Sequence, residues 1–209
     1  MAPEKIGPYR ILRPIGAGAM GEVFLGQDET LGRQVAIKTL PEEFSRDVTR
    51  RQRFMQEAQS ASAINHPNAC VIYGVGETEN GDAYIAMEYV EGNTLKEMLV
   101  NGPLVLELTV EFSTQIADAL DEAHKVGVVH RDIKSANVIV NQRGQAKVLD
   151  FGLAKKFDEE NDIDATRMVE TRDGQIVGSP GYMSPEQATG KDVDGRTDIF
   201  SLGVVMYEM

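Results

Sequence analysis

The chain has 209 residues, 42% hydrophobic and 26% charged, with a formal net charge of −12; this excludes wholesale disorder and speaks against a nucleic-acid partner, whose affinity rests on Lys and Arg. The one cysteine, Cys70, excludes an intrachain disulfide and a Cys-pair zinc site. No run approaches the roughly 20 apolar residues of a membrane span and no secretory pattern opens the chain, so the expected setting is cytoplasmic, with no membrane segment.

Residues 9–12, 22–25 and 34–39 are rich in β-branched and aromatic residues and read as strands. Gly16-Ala17-Gly18 and residues 28–32 separate them as turns. Over 49–64 the period becomes helical: Phe54, Ala58, Ala61 and Asn65 share one face, and Asn65-His66-Pro67 is the stop signal. Residues 70–75 and 83–89 read as strands joined at Asn80-Gly81. A short helix is expected over 93–100. A long one is predicted over Leu106–Lys125, with Leu108, Phe112, Ile116 and Leu120 inward and Gly127 as its cap. Residues 138–140 and 146–149 follow as strands around Gln142-Arg143-Gly144, in a register that sets Asn137 opposite Asp150. Residues 155–177 read as a long polar loop, and a last helix starts near Asp198. The expected organisation is α+β, a β-rich part over 1–90 and a mostly helical part over 91–209.

Gly16-x-Gly18-x-x-Gly21 has two meanings. A dinucleotide fold needs strand, glycine turn and helix, with an acid about 20 residues on. Here Glu22-Val23-Phe24-Leu25 is a strand pattern, and Lys38 stands near the acid's distance. That favours a glycine-rich hairpin over a nucleotide. In Val35-Ala36-Ile37-Lys38, Ala36 and Lys38 share one face. A small residue beside a cation suits a flat base and its phosphates, and a buried lysine needs a partner, for which Glu57 is the candidate.

The densest cluster is His130-Arg131-Asp132-x-Lys134-x-x-Asn137, followed by Asp150-Phe151-Gly152. An amide oxygen and a carboxylate are hard ligands of the kind Mg²⁺ takes. Asp132 beside them can serve as a base toward a hydroxyl, and Lys134 can offset charge on a phosphate. His66 and His124 read as structural or solvent-facing, His130 as a support of this loop, and Cys70 as a core residue.

These motifs, with Ser184-Pro185-Glu186, resemble the protein-kinase signature series in its order, with Ile133 and Ser184 as small departures. Lys134 is similar to the serine/threonine branch, and residues 178–187 resemble its bacterial, Hanks-type members. The resemblance implies a two-lobed fold: a β-rich N-lobe with one main helix, and a mostly α-helical C-lobe. It implies ATP beneath Ile15, Gly16, Ala17, Gly18, Ala19, Met20, Gly21, Glu22 and Val23. Adenine would lie between Val23, Ala36 and Ile139, with Met87 behind it and the backbone of Glu88 and Val90 along its edge. Lys38, held by Glu57, would grip the phosphates. Asn137 and Asp150 would hold Mg²⁺, Asp132 would be the base, and Ser179 would bridge Asp132 and Lys134. Arg131 would pair with a phosphate on Thr166 or Thr171.

The activity so implied is ATP-dependent phosphorylation of protein Ser and Thr hydroxyls, including the chain's own loop. The alternative is a truncated or regulatory nucleotide-binding module with little turnover. Kinases of this family continue with further helices that pack on one like residues 199–207. The domain is therefore expected to be cut short at its C-terminal end, to expose an apolar patch there and to self-associate.

Overall fold

The computed structural model describes residues 3–18, 21–40, 48–78, 81–151 and 180–209. Two compact units share the chain: Met1–Ala63 with Val71–Tyr89, and Ile64–Cys70 with Val90–Met209.

Among its described residues the first unit holds six strands: β1 (Lys5–Ile6), β2 (Tyr9–Gly18), β3 (Gly21–Asp28), β4 (Arg33–Thr39), β5 (Ile72–Glu77) and β6 (Ala83–Glu88). They form one sheet in the order β1-β2-β3-β4-β6-β5, each neighbour antiparallel. Gly16, Ala17 and Gly18 are strand, contrary to the expected turn: they pair with Val23, Glu22 and Gly21. Glycine has no side chain to resist a pleat, and residues 19–20 lie outside the described residues.

Alternation along β4 sends Val35 and Ile37 into a core with Ile6, Phe24 and Tyr84, against which Tyr9, Ile11 and Tyr73 pack. Tyr9 and Tyr84 meet edge to face at 6.1 Å. Helix α1 (Val48–Ala61) packs on β5 and β6 and buries Phe54, Ala58 and Ala61. It ends sooner than its periodicity predicts; Ile64 is buried where Asn65 was expected, and Asn65 is exposed.

In the second unit the helix expected over 93–100 divides into β7 (Gly92–Thr94), α2 (Leu95–Met98) and a 3₁₀ turn at Leu99–Asn101. Helix α3 runs over Leu106–Lys125 and buries Phe112, Ile116, Ala119, Leu120 and Ala123, while Leu108 is exposed. Gly127, at φ 78°, closes it: the Gly127 N–H donates to His124 O at 3.0 Å and the Val128 N–H to Ala123 O at 2.9 Å. Strands β8 (Val138–Asn141) and β9 (Ala146–Val148) join β7 in the order β7-β8-β9.

The β8–β9 register differs from the expected one by a residue. Val138 pairs with Val148 and Val140 with Ala146, so Asn137 meets Leu149, whose N–H it accepts at 2.9 Å, and Asp150 lies one step beyond. The cause is a turn of three residues rather than two. Asn141 Oδ1 accepts from the N–H groups of Arg143 and Gln145 at 2.9 and 3.0 Å, and Gly144 takes φ 76°.

Helices α4 (Pro185–Ala188) and α5 (Arg196–Glu208) are the last elements described. Helix α5 buries Thr197, Asp198, Ser201, Leu202 and Val205, and its other side exposes Ile199, Phe200, Met206 and Tyr207. Among the described residues, no helix is long and apolar enough to cross a membrane.

Candidate active site

In the second unit, residues 130–137 form a loop closed by its own side chains. His130 is fully buried. Its Nε2 meets Leu149 O at 2.7 Å, and its Nδ1 accepts the Asp132 N–H at 3.2 Å. A carbonyl only accepts, so these partners define the tautomer with the proton on Nε2. The ring stands edge-on to Phe151, with centroids 5.0 Å apart. Arg131 follows with φ 68°, in the left-handed region that side chains avoid.

Asp132 is the loop's focus. Lys134 Nζ donates to its Oδ2 at 2.6 Å, and Asn137 Nδ2 donates to the same oxygen at 3.0 Å and to Asp132 O at 2.8 Å. Asp132 and Lys134 are both about a fifth exposed, with side-chain accessibilities of 23% and 22%. Since the Asn137 nitrogen is committed to Asp132, its carbonyl oxygen is the end left for a hard cation. Asp150 supplies a carboxylate two residues past β9, at φ 57°. Among the described residues no three His, Cys, Asp or Glu side chains form a metal cluster. One carboxylate and one amide oxygen nevertheless fit Mg²⁺, which keeps its remaining positions for water and phosphate.

The loop rests on residues that its motif did not single out. Asp198, fully buried at the start of α5, accepts the His130 N–H at 2.8 Å, the Arg131 N–H at 2.7 Å and His124 Nε2 at 2.8 Å. Gln187 Nε2 donates to Arg131 O at 2.8 Å. Tyr182 donates to Glu208 Oε1 at 2.6 Å and stands 3.0 Å from Ser135 Oγ; burial, then its bond to Glu208, raises its phenol pKa. A signal for Asp198 was available: one acid among the apolar residues of a helix must be exposed or partnered.

In the first unit, cross-strand pairs gather the other named residues on the face opposite the aromatic core. Lys38 pairs with Val23 and Ile85, and Ala36 pairs with Leu25 and Met87. Lys38 is 5% exposed and Ala36 and Met87 are buried beside it. Glu57 is half-buried on α1; it and Lys38 both have interaction partners. Ile15 is half-buried in β2, and Gly16, Ala17 and Glu22 are exposed. The Glu88 N–H donates to Val71 O at 2.8 Å. Val90 and Ile139 belong to the second unit, Val90 buried and Ile139 half-buried in β8. Ala19, Met20, Thr166, Thr171 and Ser179 lie outside the described residues.

Comparison with known proteins adds two kinds of likeness. A family model described as the protein kinase domain matches residues 9–209. The serine/threonine-protein kinase PrkC of Bacillus subtilis is 43% identical over 97% of this chain and 30% of its own. A probable serine/threonine-protein kinase of Streptomyces coelicolor is 42% identical over 99% of this chain and 31% of its own. This chain thus spans less than a third of the length of those two relatives. Among solved structures, the PknI kinase domain of Mycobacterium tuberculosis superposes with a TM-score of 0.74 at 31% identity, over 96% of this chain and 71% of that one.

Proposed function

The chain belongs to the protein kinase family and has its two-lobed α+β fold; from that premise we propose that it transfers the γ-phosphoryl group of ATP to Ser and Thr hydroxyls of proteins. The observation that carries the reading is the state of Asp132. Its Oδ2 takes both Lys134 Nζ and Asn137 Nδ2, so Oδ1 is the oxygen to meet an acceptor hydroxyl and receive its proton. Fixing one oxygen orients the other before substrate arrives, and orientation is most of what phosphoryl transfer asks of a protein.

Lys134 Nζ, held against Asp132, is a positive charge beside the acceptor oxygen and would stabilise the charge on the group in flight. Asn137 and Asp150 would hold Mg²⁺, which supplies neutralisation of the phosphate oxygens when bound. On the first unit, Lys38 would grip the phosphates with Glu57 as counter-charge. Val23, Ala36 and Met87 would give the adenine an apolar wall, and the glycines of β2 would let backbone approach the phosphates. Arg131 would order the loop by pairing with phosphate on Thr166 or Thr171.

The test is incubation of the chain with labelled Mg·ATP and a Ser/Thr-containing protein acceptor. Label is expected on phosphoserine or phosphothreonine, and on Thr166 or Thr171 of the chain itself. Asp132→Asn is expected to abolish transfer while nucleotide still binds. Equal labelling by wild type and Asp132→Asn would sink the reading.

A further inference from the structure

β9 is the outer strand of its sheet, and an outer strand carries backbone groups that must find partners beyond the sheet. At Ala146 these partners are side-chain amides. The Ala146 N–H donates to Gln115 Oε1 at 2.7 Å, and Ala146 O accepts from Asn68 Nδ2 at 2.7 Å. At Val148 they are backbone: its N–H donates to Asn68 O at 2.8 Å and its carbonyl accepts from the Cys70 N–H at 2.9 Å. Ala69 is bridged to Val148 in the parallel sense. The two amides are joined, Asn68 Nδ2 to Gln115 Oε1 at 2.8 Å, and Gln115 Nε2 reaches Gly144 O at 3.3 Å in the turn.

Asn68 and Gln115 therefore replace one rung of an absent strand, and the backbone of 68–70 supplies the next. Asn68 is 9% exposed, Gln115 is half-buried, and Ala146 and Val148 are fully buried. The chain leaves this clamp through Leu149, whose N–H is on Asn137 O at 2.9 Å and whose carbonyl is 2.7 Å from His130 Nε2. The next residue is Asp150, in a left-handed conformation. Anything that lets β9 slide moves Asp150 with it, because no turn or free residue intervenes.

We infer that Asn68 and Gln115 are positioning residues for Asp150, setting the place of its carboxylate through β9; this rests on the reading of Asp150 as a metal ligand given above. Neither residue touches metal or nucleotide. Residues that orient a metal ligand in this indirect way commonly change metal affinity by about 10–100-fold when removed.

The experiment measures the rise in melting temperature that ATP induces, as a function of Mg²⁺ concentration, in wild type, Gln115→Leu, Gln115→Glu and Asn68→Ala. Gln115→Leu removes the acceptor of two donors and is expected to raise the Mg²⁺ concentration for half-effect by about tenfold, with the shift by ATP alone unchanged. Gln115→Glu keeps an accepting oxygen for both donors but loses the Nε2 donation to Gly144 O and Glu111 Oε1, so it should restore part of the Mg²⁺ response. Asn68→Ala, which unpairs Ala146 O but keeps the backbone rungs, should behave as Gln115→Leu does and serves if that variant fails to fold. A folded Gln115→Leu or Asn68→Ala with the wild-type Mg²⁺ midpoint overturns this inference alone. A wild-type chain with no Mg²⁺-dependent shift overturns it together with the nucleotide-binding reading.

Discussion

The carboxylate of Asp198 holds the backbone of Arg131 across 67 residues of sequence, its Oδ1 accepting the Arg131 N–H at 2.7 Å. The same carboxylate takes the His130 N–H and the ring of His124 on its other oxygen. A residue at φ 68° is disfavoured by about 1–2 kcal/mol, so the loop needs an outside anchor to keep Arg131 there. Asp198→Ala leaves buried donors without an acceptor, each expected to cost about 1–3 kcal/mol. Asp198→Asn, with one accepting oxygen, should fall between it and wild type. Urea unfolding measures both, and a midpoint unchanged in Asp198→Ala would contradict the anchor.

Lys134 and Asp132 form an ion pair of 2.6 Å inside the loop, and the two are expected to separate by kinetic signature. Lys134→Ala removes charge that acts on the moving phosphoryl group and half of what holds Asp132. It should lower kcat by about 10²-fold, the usual cost of one stabilising donor, and leave KM for ATP nearly unchanged. A variant that raises KM and keeps kcat would make Lys134 a substrate-binding residue instead.

What the sequence displayed well was local. The alternation of β4 separated Val35 and Ile37 from Ala36 and Lys38, and the strand pattern after Gly21 distinguished a hairpin from a dinucleotide turn. The one-residue error in the β8–β9 register came from reading Gln142-Arg143-Gly144 without Asn141, whose side chain opens the turn and adds a residue to it. Partners distant in sequence were not legible. Asp198 and Gln187 reach the loop from 67 and 56 positions away, and the pairing of Asn68 with Gln115 spans 47. No periodicity encodes such contacts; only a buried polar residue in apolar surroundings hints that a partner exists.

Gly92, the one glycine of the β7–β8 pair, should resist replacement. It stands opposite Asn141, and a Cβ there would overlap Val140 O and come within 2.9 Å of Asn141 Cα, all backbone atoms that cannot swing aside. Gly92→Ala is expected to destabilise by about 1–3 kcal/mol, the range for overpacking. Gly181→Ala, where a Cβ meets nothing within 4 Å, should stay within about 0.5 kcal/mol. Thermal melts of the two proteins compare them directly, and equal melting temperatures would mean β7 moves aside.

The entry to α2 carries a titratable test of its own. Thr94 Oγ1 accepts the Glu97 N–H at 3.1 Å, and Glu97 Oε2 accepts from the Thr94 N–H at 2.8 Å and the Thr94 hydroxyl at 2.9 Å. Thr94-Leu95-Lys96-Glu97 thus forms a capping box, Thr-x-x-Glu at the start of the helix. Hydrogen bonds from the Thr94 backbone, then from its side chain, hold the Glu97 carboxyl below the usual glutamate range. Because the folded value is depressed, Glu97 favours folding above the unfolded glutamate value of about 4.3, and that contribution disappears as pH falls through the lower folded value. Thr94→Ala removes the side-chain cap and should cost about 0.5–2 kcal/mol at neutral pH. It should also raise the Glu97 pKa toward the ordinary value, though not fully, since the Thr94 N–H remains. A carboxyl-detected NMR titration of the two proteins reads the shift, and identical Glu97 titrations would mean that the Thr94 side chain does not set it.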